Sequence, residues 1–340
     1  MEVKKKTDKV LDALDYLGND IKQNINSQAY LSMFESAREN NPWFTEEDVR
    51  YALLQFLPWL ERKNAEKFLE KYSQNMEEQN LAIVAAGNIP CVCFHDVICG
   101  LLSLCNIQVK LSSNDKVILP FLMKRMSEKF ELPISFVEKV KNFDKIIATG
   151  SNNTSLYFQS YFSDYPHIIR KSRSSVAVVC NQDNTEGLQE DVFRYFGKGC
   201  RNVSLIFLPQ GYELKNLSDR LKTYKFAPDF QKYKNNCDYY KAVFLMNNIK
   251  FTDAEFFTLR EELNLHPPLS VINYVFYNDI SEVNKFLLEQ KEDLQCVVAE
   301  KAELSDKIKK TPFGSAQSPQ LDDFADEVDT MAFLQSTKQH

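Results

Sequence analysis

The stretch LAIVAAGNIPCVCFHDVICGLLSLCNIQVKLSS, residues 81–113, decides the fold class. It starts with a short apolar run, LAIVAAG at 81–87, and ends with a second one, IQVKLS at 107–112. Between them, residues 94–105 form a segment long enough for a helix. Two β-like runs on either side of a helix-like segment are typical of a β-α-β unit, whose strands are parallel. The stretch therefore predicts an α/β protein.

The alternation extends on both sides of this stretch. The downstream segments are a helix-like run at 116–130, KIIATG at 145–150, a helix-like run near 153–162 and SVAVVC at 175–180. We interpret the last of these as the strand that closes the set. Residues 1–77 place apolar positions at helical spacing, which predicts a helical lead-in. Lead-in and alternating set together predict a first domain over residues 1–178.

The second half repeats the alternation more loosely. Its segments are SLIFLP at 204–209, VINYVFYN at 271–278, LQCVVAE at 294–300 and TDAEFFTLREELN at 252–264, the last with helical spacing. A chain of 340 residues exceeds the size at which a single core usually stops growing. We therefore expect two α/β domains with mostly parallel sheets, the second over 179–312, and a returning C-terminal tail over 313–340.

Composition and charge exclude several classes of protein. Lys and Arg total 41 against 47 for Asp and Glu, a formal net charge of -6, so we expect no nucleic-acid partner. The longest apolar stretch, near 91–105, contains His95 and Asp96 and is too short to span a bilayer. No signal core opens the chain and no C-x-x-C pair occurs, which favours a reducing cytoplasm. The four cysteines within 91–105 match no usual metal-ligand spacing, so we expect core residues and no metal.

One cysteine has a different setting. In DVFRYFGKGCRNVSLIFL, residues 191–208, a helical run ends at two glycines, and Cys200 follows the second, Gly199. The glycines predict a turn. Lys198 and Arg201 flank the cysteine, and nearby cations favour a thiolate. These residues leave two interpretations open: a packed, inert thiol or a nucleophile.

The motifs that carry chemistry form an ordered series. They are AAGNIP at 85–90, CNIQVKLSS at 105–113, ATGS at 148–151 and GKGC at 197–200. In this order they resemble the aldehyde dehydrogenase superfamily, which has an N-x-P segment, a G-N-x-x-x-K-P-S segment, a T-G-S segment and a cysteine after a G-Q-x pair. The closer likeness is to the fatty acyl-CoA reductases typified by the bacterial luminescence-system enzyme, which share G-N-[IV]-P, V-K-x-S-S, G-S and G-C. The likeness covers about residues 80–340.

The resemblance implies an aldehyde-dehydrogenase-like fold and NADPH-dependent reduction of a fatty acyl thioester to an aldehyde. Cys200 matches the family nucleophile, which holds the acyl group as a thioester. Asn88 matches the asparagine that forms an oxyanion hole with the backbone N–H at the cysteine. An asparagine that only caps a turn before Pro90 would have the same local sequence. The acyl donor would be acyl-CoA or an acyl carrier or other acylated protein, and the resemblance also allows a homo-oligomer.

The resemblance also assigns the residues that would bind NADPH. Lys110, with Ser112 and Ser113, matches the segment that meets the adenosine ribose or its 2′-phosphate. Gly150 and Ser151 match the pair at the strand-to-helix turn near the pyrophosphate. An exposed lysine at a strand end and an ordinary strand-to-helix turn are the alternatives.

Several positions depart from the family pattern. Lys198 stands where many members have glutamine, and Leu111 stands where a proline follows the lysine. Residues 170–179, RKSRSSVAVV, contain no acid, although hydrolytic members carry a glutamate there to activate water. A missing base suits a reductase, whose acyl enzyme must not be hydrolysed. The proton donor is open, because His167, close to this segment, has the setting of a structural histidine.

Two other functions stay open. A CoA-acylating aldehyde dehydrogenase would run mainly from short aldehydes, with the same cysteine. A catalytically silent acyl-binding partner subunit would retain only the fold, and the missing acid or base supports it.

Overall fold

The computed structural model describes residues 2–73 and 78–336 of the chain. The chain divides into two compact units, residues 1–172 with 319–340 and residues 173–318. Each unit contains one sheet. Among the described residues, no helix combines the length and the apolar character needed to cross a bilayer.

The first unit starts with a helical lead-in and continues as alternating strands and helices. The lead-in helices are α1 (Glu2–Asn24), α2 (Gln28–Asn40), α3 (Glu46–Gln55), α4 (Leu57–Leu60) and α5 (Arg62–Leu69). The alternating elements are β1 (Asn80–Val84), α6 (Phe94–Leu102), β2 (Asn106–Lys110), α7 (Ile118–Ser127), β3 (Ile134–Phe136), β4 (Lys145–Thr149), α8 (Asn152–Tyr161) and β5 (His167–Arg170).

The second unit has the same alternation with a longer sheet. Its elements are β6 (Ser174–Val178), α9 (Leu188–Phe193), a 3₁₀ turn (Arg194–Gly197), β7 (Val203–Pro209), α10 (Leu214–Leu221), α11 (Gln231–Met246), β8 (Thr252–Asp253), β9 (Thr258–Glu261), β10 (Val271–Tyr277), α12 (Ile280–Glu289), a 3₁₀ turn (Lys291–Asp293), β11 (Leu294–Val298) and β12 (Lys310–Thr311). The chain then returns to the first unit with a 3₁₀ turn (Ala325–Glu327) and α13 (Thr330–Gln335).

The lead-in helix α1 forms because its apolar residues recur on one face. Leu14, Leu17 and Ile21, spaced three and four residues apart, are completely buried. Each such side chain contributes about 1.5 to 3 kcal/mol through burial. The next helices have their own start signals, as at α3, where Thr45 accepts the backbone N–H of Asp48.

The first sheet has the strand order β3-β2-β1-β4-β5, and all its pairs are parallel. The chain moves outward from β1 through β2 to β3, and then returns to the other side of β1 for β4 and β5. The strand order therefore reverses between β1 and β4. In open α/β sheets, ligands bind beyond the carboxyl ends of the strands at such a switch point.

The second sheet has the order β12-β11-β6-β7-β10-β9-β8 and is parallel except for the pair β8 and β9. The strand near 175–180, interpreted from sequence as closing the first set, is β6 and lies in this sheet, between β7 and β11. The helix predicted over 252–264 is wrong. These residues form β8 and β9, because β9 pairs with β10 from Thr258 to Glu261, and this pairing outweighs the local pattern.

A buried lysine fixes the returning tail on the first unit. Lys145, at the start of β4, is 2% exposed. Its ammonium donates to the carbonyl oxygens of Phe333, Leu334 and Ser336 at 2.7 to 2.8 Å. The last carbonyls of a helix lack partners within the helix and attract a cation. The ammonium therefore stabilises the end of α13 against β4.

Candidate active site

The first sheet brings three of the sequence motifs to one edge. Val84, the last residue of β1, lies beside Lys110 of β2 and Ala148 of β4 in the strand register. Asn88 lies four residues beyond β1, and Gly150 directly follows β4. Adjacent strands are about 4.8 Å apart. The three motifs are therefore neighbours at the carboxyl edge, beside the switch point.

Two of these loops pack directly on each other. A Cβ built on Gly87 would lie 2.7 Å from the Oγ of Ser112 and 3.1 Å from the Cβ of Asn114. Only glycine leaves room for this contact. The hydroxyl of Ser112 in turn accepts the backbone N–H of Asn114 at 3.2 Å. The G-N-I-P and V-K-L-S-S motifs thus form one continuous surface.

The remaining residues of the second loop face outward. Lys110 and Ser113 are exposed. Lys110 forms no ion pair within the part of the chain that the structure describes. Asn40 from the lead-in supports the loop, since its side chain donates to the carbonyl of Ser113 and accepts the N–H of Lys116, both at 3.2 Å. A bound anion could reach the Lys110 ammonium without breaking a salt bridge.

The third loop starts a helix at the same edge. Ser151 is the N-cap of α8, where its hydroxyl accepts the N–H of Thr154 and lies 2.9 Å from the Thr154 hydroxyl. A Cβ on Gly150 would lie 2.8 Å from the Thr154 methyl group, so the close turn requires glycine. The first N–H groups of a helix and its dipole attract anionic oxygens. Together with the packed loops, this end of α8 fits the phosphates of a dinucleotide.

Asn88 lies in a bend between β1 and α6 and is exposed. Its side chain is therefore not required as a core hydrogen-bonding group, although Asn88 is not without interactions. This position fits either a substrate contact or a turn residue. Its predicted role in an oxyanion hole stays a prediction.

In the second unit, Cys200 follows a turn with an unusual backbone. Tyr195, Phe196 and Gly197 have φ values of 54°, 57° and 73°, all in the left-handed region. This conformation costs a residue other than glycine about 1 to 2 kcal/mol. Buried aromatic packing compensates, since the ring of Phe196 lies 4.4 Å from that of Phe230 and 5.9 Å from that of Tyr233. The turn is thus defined by tertiary contacts and not by its own preferences.

The exposure of Cys200 distinguishes it from most other cysteines. Only Cys180 and Cys200 are partly exposed, whereas the other six are buried. Burial raises the pKa of five of the buried thiols, which are Cys91, Cys93, Cys99, Cys105 (to about 12) and Cys237. These five are therefore poor nucleophiles at neutral pH. No described group of His, Cys, Asp and Glu is arranged to hold a metal ion.

The cations beside Cys200 are partly withdrawn from water. Lys198 and Arg201 are half-buried. Burial, assisted by the nearby charge of Lys232, lowers the pKa of Lys198 below its ordinary value. An anion that contacts Lys198 would therefore meet an ammonium that has already lost part of its hydration.

Two histidines lie at the amino ends of strands. His167, considered from sequence as a proton donor, starts β5 and contacts the carbonyl of Tyr165, on the sheet edge opposite to the three loops. His266, which belongs to none of the sequence motifs at 85–90, 105–113, 148–151 and 197–200, lies 2.9 Å from the hydroxyl of Ser174 at the start of β6. The next residue, Ser175, donates to the carbonyl of Cys200. The imidazole of His266 therefore lies at the same edge of the second sheet as Cys200.

A buried carboxylate connects α9 to a later segment of the second unit. Asp191 is completely buried and accepts the N–H groups of Gly314 and Ala316 at 2.6 and 2.9 Å. The two segments are in direct contact, since a Cβ on Gly187 would lie 2.6 Å from the Cα of Gly314. Burial raises the pKa of Asp191 to about 7, although the two N–H groups oppose this shift.

This pKa predicts a pH dependence of stability. Between its ordinary pKa of 3.8 and about 7, folded Asp191 retains a proton that the unfolded chain has released. Its contribution to stability is complete below the lower value and is lost as the pH rises through the upper one, by up to about 1.4 kcal/mol per pH unit. We expect Asp191→Asn to flatten the decrease in melting temperature between about pH 4 and pH 7. A difference between the wild type and the variant that does not change with pH would contradict this assignment.

The fold is that of the aldehyde dehydrogenases, which confirms the predicted fold class. Solved structures similar to this chain include aldehyde dehydrogenase 21 from Physcomitrella patens in complex with succinate, with 11% identity, a TM-score of 0.70, and coverage of 96% of this chain and 83% of that one. Another is aldehyde dehydrogenase C from Pseudomonas syringae in complex with NAD+ and octanal, with 11% identity, a TM-score of 0.64, and coverage of 90% and 73%.

A third similar structure is the NAD+ complex of an aldehyde dehydrogenase from Bacillus cereus, with 12% identity, a TM-score of 0.61, and coverage of 86% of this chain and 71% of that one. No protein-family model and no curated protein matches the sequence. At these identities the likeness shows the fold alone.

Proposed function

We propose that this chain reduces fatty acyl thioesters to aldehydes with NADPH, through an acyl group held on Cys200. The observation that carries the proposal is the combination of an aldehyde dehydrogenase fold with a partly exposed cysteine in a constrained turn. Most other cysteines of the chain are buried, so their thiols are withheld from substrates.

In the first step the Cys200 thiolate attacks the thioester carbonyl. The new carbon–sulfur bond forms as the bond to the donor thiol breaks, and the donor leaves as a thiolate that takes a proton from solvent. The resemblance to the aldehyde dehydrogenases implies that the side-chain amide of Asn88 and the backbone N–H of Cys200 would donate to the carbonyl oxygen while it carries negative charge. The product is an S-acyl cysteine.

In the second step the acyl group leaves as an aldehyde and the Cys200 thiolate is regenerated. When bound, the reduced nicotinamide supplies the hydride. Residues 170–179 contain no carboxylate that could activate water for hydrolysis of the acyl enzyme. This absence supports a reductase over a hydrolytic aldehyde dehydrogenase.

The three loops at the carboxyl edge of the first sheet fit the cofactor. Gly150 and Ser151, at the start of α8, would hold the pyrophosphate, since the glycine permits close approach and the helix end attracts anions. Lys110, with Ser112 and Ser113, would meet the adenosine ribose and its 2′-phosphate. The preference for NADPH over NADH rests on the resemblance and on the exposed ammonium of Lys110.

Lys110→Ala is therefore expected to raise the Michaelis constant for NADPH about 10-fold or more, because one charged contact to phosphate is lost. The rate of acylation without cofactor should stay within about threefold of wild type. Steady-state kinetics with NADPH and NADH, with Lys116→Ala as the matched exposed lysine of the same loop, measures this. Equal losses in cofactor affinity and in acylation would place Lys110 in another role.

Incubation of the protein with long-chain acyl-CoA and each nicotinamide tests the proposal. We expect thioester-dependent oxidation of NADPH and release of a fatty aldehyde. Faster turnover of acetaldehyde with CoA and an oxidised nicotinamide would instead favour a CoA-acylating aldehyde dehydrogenase. No oxidation with any chain length or carrier-bound acyl group would overturn the proposal and favour a silent acyl-binding subunit.

A further inference from the structure

The second residue after Cys200 has a side chain that closes the end of α9. Asn202 is 4% exposed. Its amide nitrogen donates to the carbonyls of Arg194 at 2.8 Å and of Asp191 and Val192 at 3.2 Å. Carbonyls at the end of a helix have no partner in the helix itself. One amide group therefore satisfies the three carbonyls that have no partner within the helix.

The other end of the same amide binds the residue before the cysteine. The oxygen of Asn202 accepts the backbone N–H of Gly199 at 2.7 Å. The backbone N–H of Asn202 donates to the carbonyl of Gly199 at 3.1 Å. Both polar backbone groups of Gly199 are thus bound to one residue. Asn202 ties the end of α9 to the peptide that joins Gly199 and Cys200.

This peptide contains the N–H assigned to the oxyanion hole. A trans peptide is planar, so the direction of the Gly199 carbonyl fixes the opposite direction of the Cys200 N–H. Ser175, which is completely buried, donates to the carbonyl of Cys200 at 2.9 Å and holds the next peptide. The backbone is therefore bound on both sides of the nucleophile.

We infer that Asn202 is the positioning residue for Cys200, an inference that rests on the proposed function. It holds the left-handed turn and thereby aims the thiol and the N–H of Cys200 at one carbonyl. The left-handed conformation of Tyr195 and Phe196 is unfavourable for these residues, so we expect the turn to relax when the side-chain hydrogen bonds of Asn202 are removed. A displacement of about 1 Å at a reacting group can cost about 100-fold in rate.

The test compares Asn202→Ala with a matched control, Asn273→Ala. Asn273 is completely buried in the same unit, and its side-chain amide donates to the carbonyl of Asn264 at 2.9 Å. Both variants lose a buried amide, but only Asn202 touches the turn. Single-turnover acylation by palmitoyl-CoA, alkylation of Cys200 by iodoacetamide, and hydrogen exchange over residues 194–203 are measured on the full chain.

We expect Asn202→Ala to slow acylation about 10- to 100-fold. Alkylation, which needs no oxyanion donor, should stay within about threefold, and exchange over 194–203 should be faster. Asn273→Ala should lower the melting temperature but leave acylation within about threefold of wild type. Asn202→Asp, which retains the acceptor for Gly199 but loses the donors, should also acylate slowly and provides a second variant.

The outcomes separate the two proposals. A wild type that forms no acyl adduct overturns the proposed function, and this inference with it. Equal acylation rates in wild type and folded Asn202→Ala overturn this inference alone. Alkylation that falls as much as acylation would mean lost access to the thiol and would also overturn it. If neither Asn202 variant folds while Asn273→Ala does, Asn202 is structural only.

Discussion

Replacement of Cys200 by alanine is expected to abolish both the acyl adduct and the thioester-dependent oxidation of NADPH. The nucleophile forms the bond that the reaction needs, and the other residues do not substitute for it. Removal of a nucleophile from a comparable covalent mechanism costs up to about 10⁶-fold in turnover, so we expect a loss of at least about 10⁴-fold. The measurement is steady-state oxidation of NADPH together with the intact mass of the protein after exposure to acyl-CoA.

Cys180→Ala is the matched control, because Cys180 is the other partly exposed cysteine. It lies at the carboxyl end of β6, 3.7 Å from the hydroxyl of Tyr277, at the edge of the sheet opposite to Cys200. We expect this variant, and Cys237→Ala, to acylate at the wild-type rate. An adduct that persists in Cys200→Ala and disappears in Cys180→Ala would move the nucleophile to Cys180.

Asn88→Ala is expected to slow acylation about 100- to 1,000-fold, which corresponds to roughly 2.7 to 4 kcal/mol of transition-state stabilisation. The side-chain amide would donate to an oxygen that becomes negative only during the reaction, so its loss should barely change acyl-CoA binding. Asn88 is exposed, and truncation of such a residue usually changes stability by less than about 0.5 kcal/mol. Rapid-quench measurement of single-turnover acylation isolates this step from cofactor binding.

Asn114→Ala provides the control for Asn88. Asn114 is an exposed asparagine of the neighbouring loop, and its Cβ, which alanine retains, faces Gly87. It should acylate normally. If Asn88→Ala acylates within about threefold of wild type while folded and able to bind cofactor, Asn88 is only a turn residue. A lower melting temperature with weaker binding of both ligands would support the same conclusion.

The sequence predicted three of the five strands of the first sheet, because their signals are local, and it missed the edge strands β3 and β5. Strands β1, β2 and β4 are short apolar runs bounded by Gly, Ser or Pro, and helices of sufficient length separate them. The prediction over 252–264 was wrong because β9 depends on β10, a pairing that no short window contains. The run at 175–180 was recognised as a strand, but its sheet was not, since β7 and β11 lie far along the chain.

The candidate site also has parts that could be predicted from the sequence and parts that could not. The loops with Lys110 and Gly150 follow strand ends, so their shared edge could be expected from parallel topology. The left-handed turn at Tyr195 and Phe196 could not, because neither residue favours that conformation and distant aromatic rings hold it. The role of Asn202 could not be predicted either, since an asparagine after a glycine-rich turn is typical of a surface residue. Only the structure shows its four side-chain hydrogen bonds.

The most direct test of the account is the intact mass of the protein after exposure to palmitoyl-CoA, before and after addition of NADPH. We expect one acyl adduct, located on Cys200 and removed by hydroxylamine, which NADPH discharges with release of one equivalent of the aldehyde. The absence of an adduct with any acyl donor would contradict it. An adduct on Cys200 that NADPH leaves in place, or discharges as the free acid, would contradict it equally.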